Sequence, residues 1–99
     1  MTATKDWVRA TADVFESDEA VRVLVDMPGV TADAVEVELD GRVLEVRGRR
    51  GEGGFHRRFT VPPGTDGEAV AAELRDGVLH LTVPKPETVR PRRIAVTSA

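Results

Sequence analysis

The chain has 99 residues, a formal net charge of −3 and no cysteine. That length suits one small domain. The charge gives no general attraction to a polyanion such as nucleic acid, and the missing thiols exclude disulfides, thiolate catalysis and zinc–thiolate sites.

The composition, 40% hydrophobic and 31% charged, is that of a soluble globular domain. No apolar run approaches a membrane span, and only Trp7, Phe15, Phe55 and Phe59 are aromatic, too few for a base-stacking surface. The opening MTATKDWVRATADVF has no apolar stretch of the signal-peptide kind, so a cytoplasmic protein is expected. Residues 1–11 read as a short N-terminal arm, with Trp7 and Val8 as its large apolar side chains.

Period-two alternation then takes over. Val21, Val23, Val25 and Met27 alternate with Arg22, Leu24 and Asp26, which predicts a strand with a buried face. Pro28 and Gly29 break it. Thr31 to Ala34 is long enough for one helical turn, with Thr31 as its cap. In VEVELD, residues 35–40, Val35, Val37 and Leu39 point one way and three carboxylates the other; Asp40-Gly41 then marks a hairpin, and Leu44 and Val46 resume the apolar face. A cluster, Gly51-Glu52-Gly53-Gly54, separates this strand from the next, which runs through Phe55, Arg57, Phe59 and Val61 to two prolines. Val70, Ala72 and Leu74 alternate again. Asp76-Gly77 marks another hairpin, and Leu79, Leu81 and Val83 line the last strand of the domain. Beyond Pro84 the tail reads as an extended linker ending in a short strand at Ile94-Ala95-Val96. About seven short strands without a long helix predict an all-β, immunoglobulin-like antiparallel sandwich.

Catalytic signals are weak. His56 and His80 fall within strands, no serine has a nucleophile context, and the glycine cluster lacks the lysine and helix start of a phosphate loop. Glu36, Glu38 and Asp40 are better read as a solvated strand face than as metal ligands. The arginines at 47, 49, 50, 57 and 58 stand beside carboxylates, which favours salt bridging or solvation over nucleic-acid binding. Neither an enzyme nor a cofactor is expected.

Four stretches together resemble the small heat-shock proteins, whose common unit is the α-crystallin domain. AELRDGVLHLTVPK, residues 72–85, is similar to the family signature at Ala72, Asp76, Gly77, Val78, Leu79, Pro84 and Lys85. VDMPGV (25–30), GGFHRRFTVP (53–62) and RRIAV (92–96) match three further motifs in the right order. The resemblance covers about residues 12–96. It implies an arm over 1–11, an α-crystallin domain over 12–84, and an extension over 85–99 carrying an Ile-x-Val motif. It also implies an ATP-independent chaperone that holds partly unfolded clients, with no nucleic acid or membrane as partner. In the family, a groove between two strands accepts the Ile-x-Ile/Val tail of a neighbour. The matching residues here are Val35, Val37 and Leu39 on one strand, Val70, Ala72 and Leu74 on the other, and Ile94 and Val96 in the tail. The arm, through Trp7 and Val8, would contact clients or pack on its own domain.

The resemblance breaks at the glycine cluster. Bacterial members usually carry there a long loop whose strand swaps into a neighbour, whereas only four residues separate Arg50 from Phe55. Edge-to-edge pairing through Phe55, His56 and Arg57, as in animal members, is one replacement; a monomer with Arg57 and Arg58 blunting the edge is the other. Two functions therefore compete: a minimal or accessory small heat-shock protein that joins copies of itself or a longer homologue, and a monomeric CS-like adaptor that docks on a larger chaperone.

Overall fold

In the computed structural model, which describes residues 7–99, eight strands form two four-stranded sheets. The strands are β1 (Trp7–Arg9), β2 (Ala12–Glu16), β3 (Ala20–Asp26), β4 (Val35–Asp40), β5 (Val43–Arg50), β6 (Gly53–Thr60), β7 (Ala71–Arg75) and β8 (Val78–Pro84). The first sheet has the order β1-β6-β5-β4 and the second β2-β3-β8-β7. All pairings are antiparallel except β1 with β6. The expected all-β sandwich is therefore the observed one, and no α-helix occurs among the described residues.

The core lies between the sheets. Leu44 and Val46 face it from β5; Val23 and Val25 from β3; Leu79, Leu81 and Val83 from β8. All are essentially buried, because period two sends alternate side chains to one face. Each such side chain contributes ~1.5–3 kcal/mol through burial. Met27 and Val30 close one end. There the Met27 N–H donates to the Gly77 carbonyl at 2.7 Å, and Gly29 takes a positive φ of 81°.

Three tight hairpins set the registers. Asp76 and Gly77 both have positive φ, 53° and 77°, the pairing a type I′ turn requires. The expected Asp40-Gly41 turn is displaced by one residue: Asp40 stays in β4 opposite Val43, and Gly41-Arg42 makes the turn. The glycine cluster is a two-residue turn at Gly51-Glu52, since Arg50 pairs with Gly53.

Three expectations are corrected. Trp7–Arg9, placed in the arm, forms a strand on the edge of β6 in register Trp7–Gly54, Val8–Phe55 and Arg9–His56. Residues 1–6 of that arm lie outside the described residues. Thr31 precedes a single 3-10 turn at Ala32–Ala34, but its hydroxyl donates to the Asp33 carboxylate instead of accepting from the backbone. Ile94–Val96 is not a strand: an extended segment becomes one only by pairing, and no strand among the described residues pairs with it.

Candidate functional site

The expected groove residues sit on the edge strands of the two sheets. On β4, Val35, Val37 and Leu39 face inward and Glu36, Glu38 and Asp40 face solvent. β7 is the edge of the other sheet and carries Ala72 and Leu74, with Val70 at its entry. Leu39 lies against the 3-10 turn Gly67–Ala69 that leads into β7; a methyl group on Gly67 would stand 3.4 Å from its Cδ2. Asp66 caps that turn by accepting from the Glu68 N–H at 2.9 Å. Val35, Val37, Leu39, Val70 and Leu74 are half-buried and packed against the core, while Ala72 is exposed. This is one apolar margin of the sandwich, incompletely covered by its own chain.

The tail leaves from a fixed root. The Lys85 N–H donates to the Glu19 carbonyl at 2.8 Å, and Arg90 Nε donates to the Lys85 carbonyl at 3.1 Å. Past the 3-10 turn Glu87–Val89, all residues from 91 onward are exposed. Ile94 is 83% and Val96 93% exposed, the most solvent-bared large apolar side chains among the described residues.

The edge expected at Phe55, His56 and Arg57 is not bare. β1 already pairs beside Phe55 and His56, and Ala10 prolongs the ladder by donating to the His56 carbonyl at 3.0 Å. Arg57 does not blunt the edge from outside. It faces inward opposite Val46, its Nη1 donates to the Ala10 carbonyl at 2.8 Å, and its guanidinium lies 5.1 Å from the Phe59 ring. Trp7 is half-buried on its own sheet, with the Arg47 and Arg49 guanidinium groups 4.9 and 5.8 Å from its ring. Val8 remains about half exposed.

No group of three or more metal-ligating side chains occurs among the described residues. The carboxylates of β4 are spread along a solvent face. What the sequence missed is a second apolar margin, on the opposite side of the sandwich, where Val14 of β2 and Phe59 of β6 line one cleft. Val14 is over half exposed there; Phe15, also over half exposed, lies on the opposite face of β2 beside Arg22. The alternation of ADVFE was the available signal, but a five-residue pattern carries little weight alone.

Known proteins give this geometry a relative. The chain is similar to Spore protein SP21 of Stigmatella aurantiaca, 39% identical over 88% of this chain and 61% of that protein, so it spans less than two thirds of that relative's length. It is also similar to the 17.7 kDa class II heat shock protein of Arabidopsis thaliana, 33% identical over 100% of this chain and 77% of that one. Among solved structures, heat shock protein 16.0 of Schizosaccharomyces pombe superposes with a TM-score of 0.71 at 27% identity, over 91% of this chain and 98% of the other. Small heat-shock proteins are ATP-independent chaperones and not enzymes. Residues 13–97 match the Hsp20/alpha crystallin family, and the chain belongs to it.

Proposed function

We propose that this protein is a cytoplasmic holdase that binds partly unfolded clients and keeps them from aggregating, and that it assembles through its tail with copies of itself or with a longer homologue. Such a chaperone acts by mass action, binding unfolded chains in preference to native ones, so it needs apolar surface and no catalytic group. The observation that carries the reading is the pairing of an unpartnered Ile94-x-Val96 tail with the half-covered margin formed by Val35, Val37, Leu39, Val70, Ala72 and Leu74. Two apolar side chains two residues apart lie on one face of an extended segment, the form that strand-like docking into pockets uses. Burying both would contribute ~1.5–3 kcal/mol each before the cost of ordering the tail. A single docked tail is therefore weak, and stable assembly takes several at once. Val8, exposed beside the tethered Trp7, is the arm's contribution to client contact.

The two-residue turn at Gly51-Glu52 supports the second reading, a monomeric adaptor, because it leaves no strand to swap. One experiment separates them. The double variant Ile94→Ala/Val96→Ala should fold as the parent does, since both side chains are exposed. It should assemble to a lower mass by light scattering, and it should protect a heat-aggregating client several-fold less well by turbidity. Unchanged mass and unchanged protection would remove the tail from the mechanism.

A further inference from the structure

Lys85 ends the signature stretch and begins the tail, and it is held at three points. Its N–H donates to the Glu19 carbonyl at 2.8 Å, its Nζ lies 2.6 Å from a Glu16 carboxylate oxygen, and its carbonyl accepts from Arg90 Nε at 3.1 Å. The side chain is only 12% exposed although it carries a full charge. A lysine is seldom covered to that degree without a partner, and among the described residues Glu16 is the carboxylate that pairs with it. Pro86, the next residue, rests against the loop that leaves β6: a methyl group on Gly64 would stand 3.6 Å from its Cγ.

These contacts have a direction. The second sheet runs β2-β3-β8-β7, so β8 has β3 and β2 on one flank and β7 on the other. Pairing with β7 stops at Thr82, opposite Ala71, whereas pairing with β3 continues to Pro84, opposite Ala20. Lys85 prolongs the β3 flank through Glu19 and reaches past it to Glu16 on β2. The root of the tail is therefore drawn toward the β2–β3 hairpin. The β4–β7 margin lies on the other flank, where Ala72 stands opposite Leu81 and Val70 precedes Ala71.

That margin is close enough for the tail to fill it. Val70 sits beside the end of β8, and Ile94 stands nine residues beyond Lys85, up to about 30 Å of extended chain. Yet every residue from 91 onward is exposed, so the motif does not rest on its own margin. A short flexible linker holds its end at an effective concentration of roughly millimolar. An unaimed tail would thus be captured by its own chain before it met another. On the reading that the tail docks at such a margin, we infer that Lys85, clasped by Glu16, is the positioning residue of the tail: it turns the tail away from its own margin and reserves Ile94 and Val96 for the margin of another chain.

Cross-linking in the full-length chain tests this. The protein has no cysteine, so Ala72→Cys on the margin and Ala95→Cys in the tail place two unique thiols, both at exposed positions. A short bis-maleimide then joins tail to margin. Non-reducing gels separate bridges between chains from bridges within one chain of 10.7 kDa, and peptide mass identifies those joining residues 72 and 95. With Lys85 intact, bridges between chains should dominate. Lys85→Met keeps the apolar stem and the backbone N–H, and it leaves Glu16 solvated at 63% exposure, so the fold and melting temperature should hold. It should shift the ratio of between-chain to within-chain bridges at least tenfold toward the latter. Glu16→Gln should shift it the same way, and the exchange Lys85→Glu/Glu16→Lys should restore it. Bridges mainly within one chain while Lys85 is intact, an unchanged ratio in Lys85→Met and Glu16→Gln, or a loss of both kinds of bridge in those variants would overturn the assignment. Adding Ile94→Ala/Val96→Ala to the two-cysteine chain distinguishes the other failure. Bridge yield should then fall several-fold, and an undiminished yield would overturn tail docking itself.

Discussion

Gly54→Ala should lower stability by about 3 kcal/mol or more, read as a fall in melting temperature of roughly 12–20 °C. Gly54 has a φ of 146°, a region that residues with a Cβ rarely adopt. A Cβ built there stands 2.0 Å from the Gly48 carbonyl oxygen and 3.0 Å from Arg49 Cα, and both are backbone atoms of the paired strand. Nothing at that contact yields without opening the β5–β6 ladder. Gly48→Ala provides the contrast. Its Cβ would come within 2.6 Å of Met27 Sδ, but a thioether at the end of a flexible side chain moves aside. We expect Gly48→Ala to cost about 1 kcal/mol. Thermal unfolding of both variants checks the pair; equal losses would mean that Met27 is fixed by its surroundings or that the β5–β6 ladder gives way.

The contrast also shows which parts of the fold are legible in the residues. β3 and β8 are, because Val21-Val23-Val25 and Leu79-Leu81-Val83 write a buried face at period two and sit in the middle of a sheet. The Asp76-Gly77 turn is, because both its residues tolerate positive φ. The Gly41-Arg42 turn slips by one residue because a glycine at the first central position forms a two-residue hairpin without help from Asp40. β1 is not legible: Trp7-Val8-Arg9 has no period of its own, and its strand character comes from a β6 edge 47 residues away. The tail fails in the opposite sense, since Ile94-Ala95-Val96 has strand character and pairs with no strand among the described residues. At the candidate groove, alternation on β4 gives the side on which Val35, Val37 and Leu39 stand, but depth depends on what covers them. These residues end half-buried because β4 and β7 are outermost in their sheets. A period reports a face; edge position is a property of the whole topology.

Leu81→Ala carries the other large expected effect, and it separates holding the fold from holding a client. Leu81 is 1% exposed on β8, a strand flanked on both sides, with Val23 opposite it on β3 and Ala72 on β7. Truncation there removes burial and leaves a cavity between two sheets whose backbones are tied by ladders and collapse little; the cost is about 2–5 kcal/mol. Against a total stability of about 5–15 kcal/mol for a domain of this kind, that is a large share. The variant should unfold roughly 10–25 °C earlier. Below that temperature its tail and β4–β7 margin are intact, so client protection should match the parent; above it, protection should vanish with the fold. Ile94→Ala/Val96→Ala should show the reverse, an unchanged melting temperature with protection several-fold lower at every temperature. Measuring protection on both sides of the Leu81→Ala transition decides the matter. A folded variant that has already lost protection would place Leu81 in the client surface, against its burial, whereas protection that follows the melting curve assigns the core to stability and the exposed tail and margins to function.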